Sequence, residues 1–239
     1  MREDFKRLEE GSEIFIEVDL NAYSYSNKNR WLFSVFVKYD SSSEEHVGYE
    51  EFLESKESLI ISLSHSYDAV YVGSRVVGGW SELYFYADIS KGLEKEVKKS
   101  FDGYMFESYV TKDSKWDFYR KSLYPTNIEL ANIQSKSIIA ELEDEGDDLE
   151  VEREVEYYIS FETPTQKERF FAKLPFDGFA YKDEIGSDEC DNGIVLVKNH
   201  SINITLLQQN IALLFENIKE QNGVYEGWST AFVPKGEDA

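Results

Sequence analysis

The chain of 239 residues contains one cysteine, three histidines and four prolines, and it has only 25 Lys and Arg against 47 Asp and Glu. The single cysteine, Cys190, excludes an internal disulfide. No apolar run approaches the roughly 20 residues of a membrane-spanning helix, and no cationic start followed by an apolar run lies near Met1. These absences favour a cytoplasmic protein without membrane contact, and the formal charge of −22 argues against direct nucleic-acid binding.

Aromatic residues and carboxylates are abundant. The 16 Phe, 16 Tyr and 4 Trp provide enough apolar surface for compact folding despite the charge. Residues 138–157 hold ten carboxylates around one cation, Arg153, and residues 124–239 carry nine Lys and Arg against 24 Asp and Glu, a formal charge of −15. A field this negative repels phosphates and attracts basic surfaces, so it predicts a basic protein partner.

A domain boundary is predicted near residue 123. Pro125 disfavours helix at Tyr124, and Thr126 is a candidate cap for a new helix. A length of 239 residues accommodates two small domains. The predicted domains are therefore residues 1–123 and 124–239.

Apolar periodicity, together with runs rich in Val, Tyr and Phe and glycine turns such as Gly78-Gly79, assigns the elements of each half. Alternation with a period of two predicts strands, and apolar residues three or four apart predict helices. The first half reads ββαββαβ followed by a bridging helix, at residues 14–20, 31–39, 50–65, 69–77, 80–87, 93–101, 104–110 and 116–123. The second half reads αβαββαβ, with elements at residues 128–144, 154–162, 164–174, 178–185, 193–197, 204–218 and 224–233. Each half thus contains βαββαβ, which predicts an α+β protein of two tandem ferredoxin-like (split βαβ) domains, each with two helices on one face of a four-stranded antiparallel sheet.

Several segments of the second half resemble the regulator of ribonuclease E activity B family. They are Ile138-Ile139-Ala140-Glu141-Leu142, the acidic turn at 143–152, the strand Val155-Glu156-Tyr157-Tyr158, and Val224-Tyr225-Glu226-Gly227-Trp228-Ser229-Thr230-Ala231-Phe232. The resemblance covers about residues 125–235. The first half, at about residues 10–123, resembles a bacterial domain family of no known function through the strand at Trp31, the Val72-Gly73 hairpin and a helix at 116–119.

The resemblance implies an acidic cytoplasmic protein that binds an endoribonuclease and alters which RNAs it degrades, without catalysing a reaction itself. On this interpretation the acidic face of the second domain is the contact surface. The predicted contact residues are Glu143, Asp144, Asp147, Asp148, Glu154, Glu156, Tyr225, Glu226 and Trp228. The two aromatic residues are candidate interface anchors, with burial of Trp228 in the core as the competing interpretation. For the acidic block the competing interpretation is an ordinary solvated face.

Two other functions remain open: an enzyme or small-molecule binder that uses a groove between the domains, and a phosphate-mimicking decoy for some other basic protein. Each half contains few candidate catalytic residues. The histidines, His46, His65 and His200, share no motif and are expected at the surface or at helix caps. Three carboxylates next to Cys190 disfavour a thiolate, which argues against a nucleophile.

One metal motif occurs within the acidic block. Glu141, Glu143, Glu145, Gly146 and Glu152 have the spacing of an EF-hand loop. The early ligands are Glu instead of Asp or Asn, and the predicted helix continues into the motif, so we interpret the spacing as coincidence. The sequence therefore predicts no catalytic residue, cofactor or metal, and it leaves the oligomeric state open.

Overall fold

The computed structural model describes residues 2–187 and 190–236, and within these ranges it describes all side chains except those of residues 186, 187, 190 and 191. The chain divides into two compact units, Met1–Tyr124 and Pro125–Ala239. Each unit combines an antiparallel sheet with helices, which confirms the expected mixed α+β class. In the described ranges, no helix is both long enough and apolar enough to cross a membrane.

The described residues of the first unit form six strands and two α-helices. They are β1 (Arg2–Glu9), β2 (Ser12–Asp19), β3 (Trp31–Val37), α1 (Tyr49–Tyr67), β4 (Val70–Val77), β5 (Trp80–Ala87), α2 (Glu94–Ser100) and β6 (Phe106–Lys112). Short helical turns lie at Ala22–Tyr25 and Tyr119–Leu123. The strands form one antiparallel sheet in the order β1-β2-β4-β5-β3-β6.

The helices α1 and α2 pack on one face of this sheet. Side chains alternate across a strand and recur every three or four residues along a helix, so each element contributes one apolar face. The buried residues of this layer form a single cluster that includes Phe33, Val35, Val37, Phe52, Leu59, Leu63, Leu83, Phe85 and Val97. The layer is the hydrophobic core of the first unit.

On the opposite face of the sheet, Trp116 is fully buried. Its ring stacks on Tyr86 with 3.9 Å between centroids, and its Nε1–H donates to the carbonyl oxygen of Asn29 at 2.6 Å. Trp116 has a φ of 57°, which is incompatible with a helix. The predicted helix at 116–123 therefore begins after Trp116.

The prediction of a four-stranded sheet in the first half is wrong, because the sheet has six strands: the predicted strand β2 pairs with β4 and extends the sheet, and β1, which was not predicted, pairs with β2. The segment Arg2–Glu9 is mostly charged, and only Phe5 of its two apolar residues is buried. Glu10 and Gly11, both at positive φ, close a tight hairpin that pairs β1 with β2 over eight residues. Charged side chains along an edge strand protect the edge from pairing with other chains, and they also hide its apolar pattern.

The described residues of the second unit form three helices and four strands. They are α3 (Asn127–Asp144), β7 (Arg153–Ser160), α4 (Pro164–Phe171), β8 (Ala180–Ser187), β9 (Cys190–His200), α5 (Ile204–Lys219) and β10 (Val224–Thr230). The sheet is antiparallel, with the order β10-β7-β9-β8. Capping boxes at Thr126 with Glu129 and at Thr163 with Gln166 begin α3 and α4. The structure ends the last strand at Thr230, three residues before the predicted end.

The core of the second unit lies between this sheet and its helices. On β7, Val155, Tyr157 and Ile159 are fully buried, and they pack with apolar residues of α5 in one cluster. Glu154 and Glu156 alternate with them and therefore lie on the open face of the sheet.

Candidate functional site

The acidic turn, defined here as residues 141–152, begins in the last turn of α3, which ends at Asp144. Gly146 has a φ of 84°, and the N–H of Asp147 donates to the carbonyl of Leu142 at 2.9 Å. The N–H of Gly146 donates to the carbonyl of Glu143 at 3.0 Å, which completes a Schellman motif. The helix C-terminus carries a partial negative charge, so the carboxylates at this end of α3 do not stabilise the helix. Their position here is a cost that the rest of the unit must offset.

A buried ion pair between Asp147 and Arg153 closes the turn. Asp147 is 0% exposed, and the Arg153 guanidinium contacts both of its carboxylate oxygens, with Nη1 2.8 Å from Oδ2 and Nη2 close to Oδ1. The guanidinium also donates to the carbonyl of Ala231 at 3.0 Å. The hydrogen bond from Arg153 is the main reason that the pKa of Asp147 lies below its ordinary value. Asp147 is therefore an internal counter-ion, and its assignment to a partner-contacting surface is wrong.

The segment 231–235 is held against this turn. The N–H of Val233 donates to Asp147 Oδ2 at 2.9 Å, and the N–H of Asp148 donates to the carbonyl of Val233 at 2.6 Å. The N–H of Lys235 donates to the carbonyl of Gly146 at 2.9 Å. These bonds join residues more than 80 positions apart in sequence. The backbone of the turn is therefore held both by the segment 231–235 and by the ion pair with Arg153.

The carboxylates that the turn displays are exposed: Glu141, Glu143, Asp144, Glu145, Glu150 and Glu152. Within the described ranges, none of these six has an ion-pair partner. Asp148 differs, because it is half-buried and its Oδ1 accepts the N–H of Glu150 at 3.2 Å. The structure thus presents six solvated anions on a fixed backbone.

Three further predicted contact residues lie on the open face of the sheet. Glu154 and Glu156 both pair with the ammonium group of Lys182, which lies on β8. Hydrogen bonds to these two carboxylates raise the pKa of Lys182, and the bond from Lys182 lowers the pKa of Glu156. Glu226 on β10 is exposed and accepts a hydrogen bond from the hydroxyl of Ser160. This face is partly neutralised, since one cation serves two carboxylates.

The two aromatic residues predicted as anchors differ in their burial. Trp228 is 6% exposed, and its Nε1–H donates to Ser135 Oγ on α3 at 2.9 Å. The prediction of Trp228 as a contact residue is therefore wrong, and the competing core interpretation describes its position. Tyr225 is half-buried with its ring 5.5 Å from that of Phe215, and burial raises the pKa of its hydroxyl.

Sequence reasoning missed a buried polar network in the second unit, and it wrongly expected His200 at the surface or at a cap. His200 is 7% exposed, and its Nδ1–H donates to the carbonyl of Ser201 at 2.7 Å. Its Nε2 accepts the hydroxyl hydrogen of Tyr157 at 2.8 Å, and Asn210 donates to the same hydroxyl at 3.3 Å. Every polar group that we name here is satisfied, so the network is structural. The Tyr157–His200 pairing left no signal in the sequence, because the two residues are 43 positions apart.

The EF-hand spacing does not produce a metal site. Glu141 and Glu143 lie on α3 and Glu145 is its C-terminal cap, so the motif has helical geometry where an ion-binding loop is required. No group of three or more His, Cys, Asp or Glu residues within the described ranges could hold a metal ion. The side chain of Cys190 and its neighbours Asp188 and Glu189 lie outside the described part, so the expectation for that cysteine stays a prediction.

The fold and this surface define an α+β protein of two units, the second of which displays a strongly acidic turn whose backbone is hydrogen-bonded to the segment 231–235. Residues 132–230 match the family model described as "Regulator of ribonuclease activity B". Residues 7–124 match the model of a "Family of unknown function (DUF695)". Both matches, and their order along the chain, confirm the resemblance seen in the sequence. No individual curated protein matches this chain.

Proposed function

We propose that this protein is a non-enzymatic, cytoplasmic regulator that binds a basic protein partner, an RNA-degrading enzyme, through its second unit. The match of residues 132–230 to a family named for the regulation of ribonuclease activity carries the proposal. The acidic turn supplies the chemistry, because six exposed carboxylates on a fixed backbone form a preorganised target for guanidinium groups. No active site is required for a function of this kind.

The electrostatics favour a partner that itself binds RNA. Proteins that bind RNA bring Arg and Lys side chains to the phosphates, and an acidic surface competes for the same cations through charge-assisted hydrogen bonds. Exposed ion pairs contribute only about 0.2 to 1 kcal/mol each, so the affinity has to come from several carboxylates acting together. Such binding weakens as salt rises.

The proposed contact surface consists of Glu143, Asp144, Asp148, Glu154, Glu156, Tyr225 and Glu226, together with the exposed carboxylates of the acidic turn. Asp147 and Trp228 are not part of this surface, because both are buried. A simultaneous reversal of Glu143, Asp144, Asp147 and Asp148 would therefore not be a clean test, since it would also break the ion pair with Arg153.

We also propose that the two units are independent domains, with the boundary after Tyr124, one residue later than predicted, and that both are ferredoxin-like. The elements β7-α4-β8-β9-α5-β10 with the strand order β10-β7-β9-β8 support this in the second unit. The elements β3-α1-β4-β5-α2-β6 with the order β4-β5-β3-β6 support it in the first, where β1 and β2 extend the sheet.

The test is direct binding between the full chain and purified endoribonuclease, with RNA cleavage as a second readout. The variant Glu143→Lys/Asp144→Lys/Glu150→Lys reverses three exposed charges and leaves Asp147 intact. We expect at least a tenfold loss of affinity and a matching loss of the effect on RNA cleavage, because each attraction becomes a repulsion.

The control Glu44→Lys/Glu45→Lys/Glu54→Lys changes the net charge equally, but on exposed positions of the first unit. We expect it to keep its affinity within about twofold. Equal losses in both variants would mean that only net charge matters, as for an unspecific decoy. The absence of any ribonuclease binding by the native chain would refute the assignment.

A further inference from the structure

A partly apolar groove lies between α3 and α5 in the second unit. It has two adjoining parts, of about 250 and 530 Å³, and Asn127, Phe215 and Gly223 line both. Its other apolar lining residues are Ile128, Leu130, Ala131, Ala212, Ile218, Val224 and Tyr225, and its polar lining residues are Thr126, Gln134, Glu216, Lys219 and Asn222. An open apolar groove of this size is typical of a surface that receives a ligand side chain.

The groove continues into the acidic turn along one stripe of α3. Residues three or four apart lie on the same face of a helix, so the positions that line the groove lead directly to exposed carboxylates. The stripe consists of Asn127, Ala131, Gln134, Ile138, Glu141 and Glu145, of which Ala131 is buried, Ile138 is half-buried against the core, and the other four are exposed. At 1.5 Å per residue it is about 27 Å long, which an extended chain covers in about eight residues.

We propose that this stripe binds one linear segment of a cationic protein. An apolar side chain of the segment enters the groove, and Arg or Lys residues four to eight positions away reach Glu141, Glu145 and the rest of the acidic turn. The inference rests on the proposed function and adds to it the kind of segment that is recognised. The net charge of the chain, −22, indicates what binds in the groove. It repels a second copy of the same chain and attracts a cationic segment.

The two ends of the stripe have different tasks. Exposed charges are screened beyond about 8 Å at physiological ionic strength, so the acidic end mainly speeds association and selects basic partners. Apolar burial is not screened, so the groove holds the segment once it is bound. A segment with both features keeps part of its affinity in high salt.

The test is selection of random 12-residue displayed peptides on the full chain at about 150 mM salt. We expect the selected peptides to share an apolar residue and a pair of Arg or Lys residues four to eight positions apart. The groove variant is Ala212→Arg, whose long side chain fills the larger part. The acidic-end variant is Glu141→Lys/Glu145→Lys, and the control is Leu206→Arg, at an exposed position on α5 outside the groove lining.

We expect Ala212→Arg and Glu141→Lys/Glu145→Lys each to lower the affinity for the selected peptides at least tenfold, and Leu206→Arg to change it less than twofold. Circular dichroism verifies that each variant is folded. Independently of any variant, photoreactive forms of the same peptides should crosslink to α3 and α5 of the native chain, as located by mass spectrometry.

Each other outcome overturns the inference in a recognisable way. Peptides that are only basic, with binding unaffected by Ala212→Arg, would reject the groove and leave the proposed function intact. Peptides that are only apolar, with binding unaffected by Glu141→Lys/Glu145→Lys, would indicate a site for apolar ligands and count against the acidic surface as well. Selection of no peptide, or crosslinks elsewhere on the chain, would reject the linear-segment proposal.

Discussion

The variant Asp147→Ala removes the carboxylate that pairs with Arg153 at the base of the acidic turn. Arg153 is 9% exposed and would keep its charge without the partner that neutralises it. The N–H of Val233 would lose its acceptor, Asp147 Oδ2, in the same change. The variant therefore loosens both the turn and the segment 231–235, and leaves the exposed carboxylates in place.

Removal of one partner from a buried ion pair typically costs about 3 to 5 kcal/mol. We expect the free energy of unfolding of the second unit to fall by that amount. The pH dependence changes too. The pKa of Asp147 lies below its ordinary value of 3.8, so the pair stabilises the native protein above that pH, and the contribution is lost as the pH falls through the native pKa. This part of the acid sensitivity should be missing in Asp147→Ala.

The assay is urea unfolding followed by far-UV circular dichroism, at pH 7 and at steps down to pH 3. The double variant Asp147→Leu/Arg153→Met replaces both charges with apolar groups and should recover most of the loss, because buried pairs are often replaced at little cost. The cycle of Asp147→Leu, Arg153→Met and their double variant measures the coupling energy directly. A loss below about 1 kcal/mol in Asp147→Ala, or a coupling near zero, would show that the pair is not the buried clamp described above.

Two further predictions concern single residues elsewhere. Gly73→Ala should destabilise the first unit by more than about 2 kcal/mol in urea unfolding. Gly73 has a φ of 149°, and an added Cβ would lie 2.3 Å from the carbonyl oxygen of Glu17. A variant as stable as the native protein would contradict that close approach. Burial lowers the pKa of His200 below 6.5, so the unfolded chain binds this proton more readily and stability should fall as the pH drops below 6.5. His200→Gln should flatten that part of the stability curve, and an unchanged curve would mean that His200 is not buried in its neutral form.

The elements of the fold follow mostly from local patterns. Alternating apolar residues predicted β2, β3 and β7, and runs rich in Val, Tyr and Phe around Gly78-Gly79 predicted β4 and β5. Helical spacing predicted α1, α3 and α5. These patterns depend only on neighbours within a few positions. The exceptions have physical causes. The strand β1 carries too few apolar residues to show an alternating pattern. Trp116 adopts a positive φ, which cannot be predicted from its residue type.

The sequence by itself determined that the second half is strongly acidic and where its helices and strands lie. Only the tertiary structure decided which carboxylates face solvent. Asp147 and Asp148 are neighbours in the same block, yet only Asp147 is fully buried, because it meets Arg153 and the backbone of Val233, which is 86 positions away. Trp228 is also buried through a contact with a distant residue: its Nε1–H donates to Ser135, which is 93 positions away. Contacts between residues this distant in sequence leave no periodic signal along the chain.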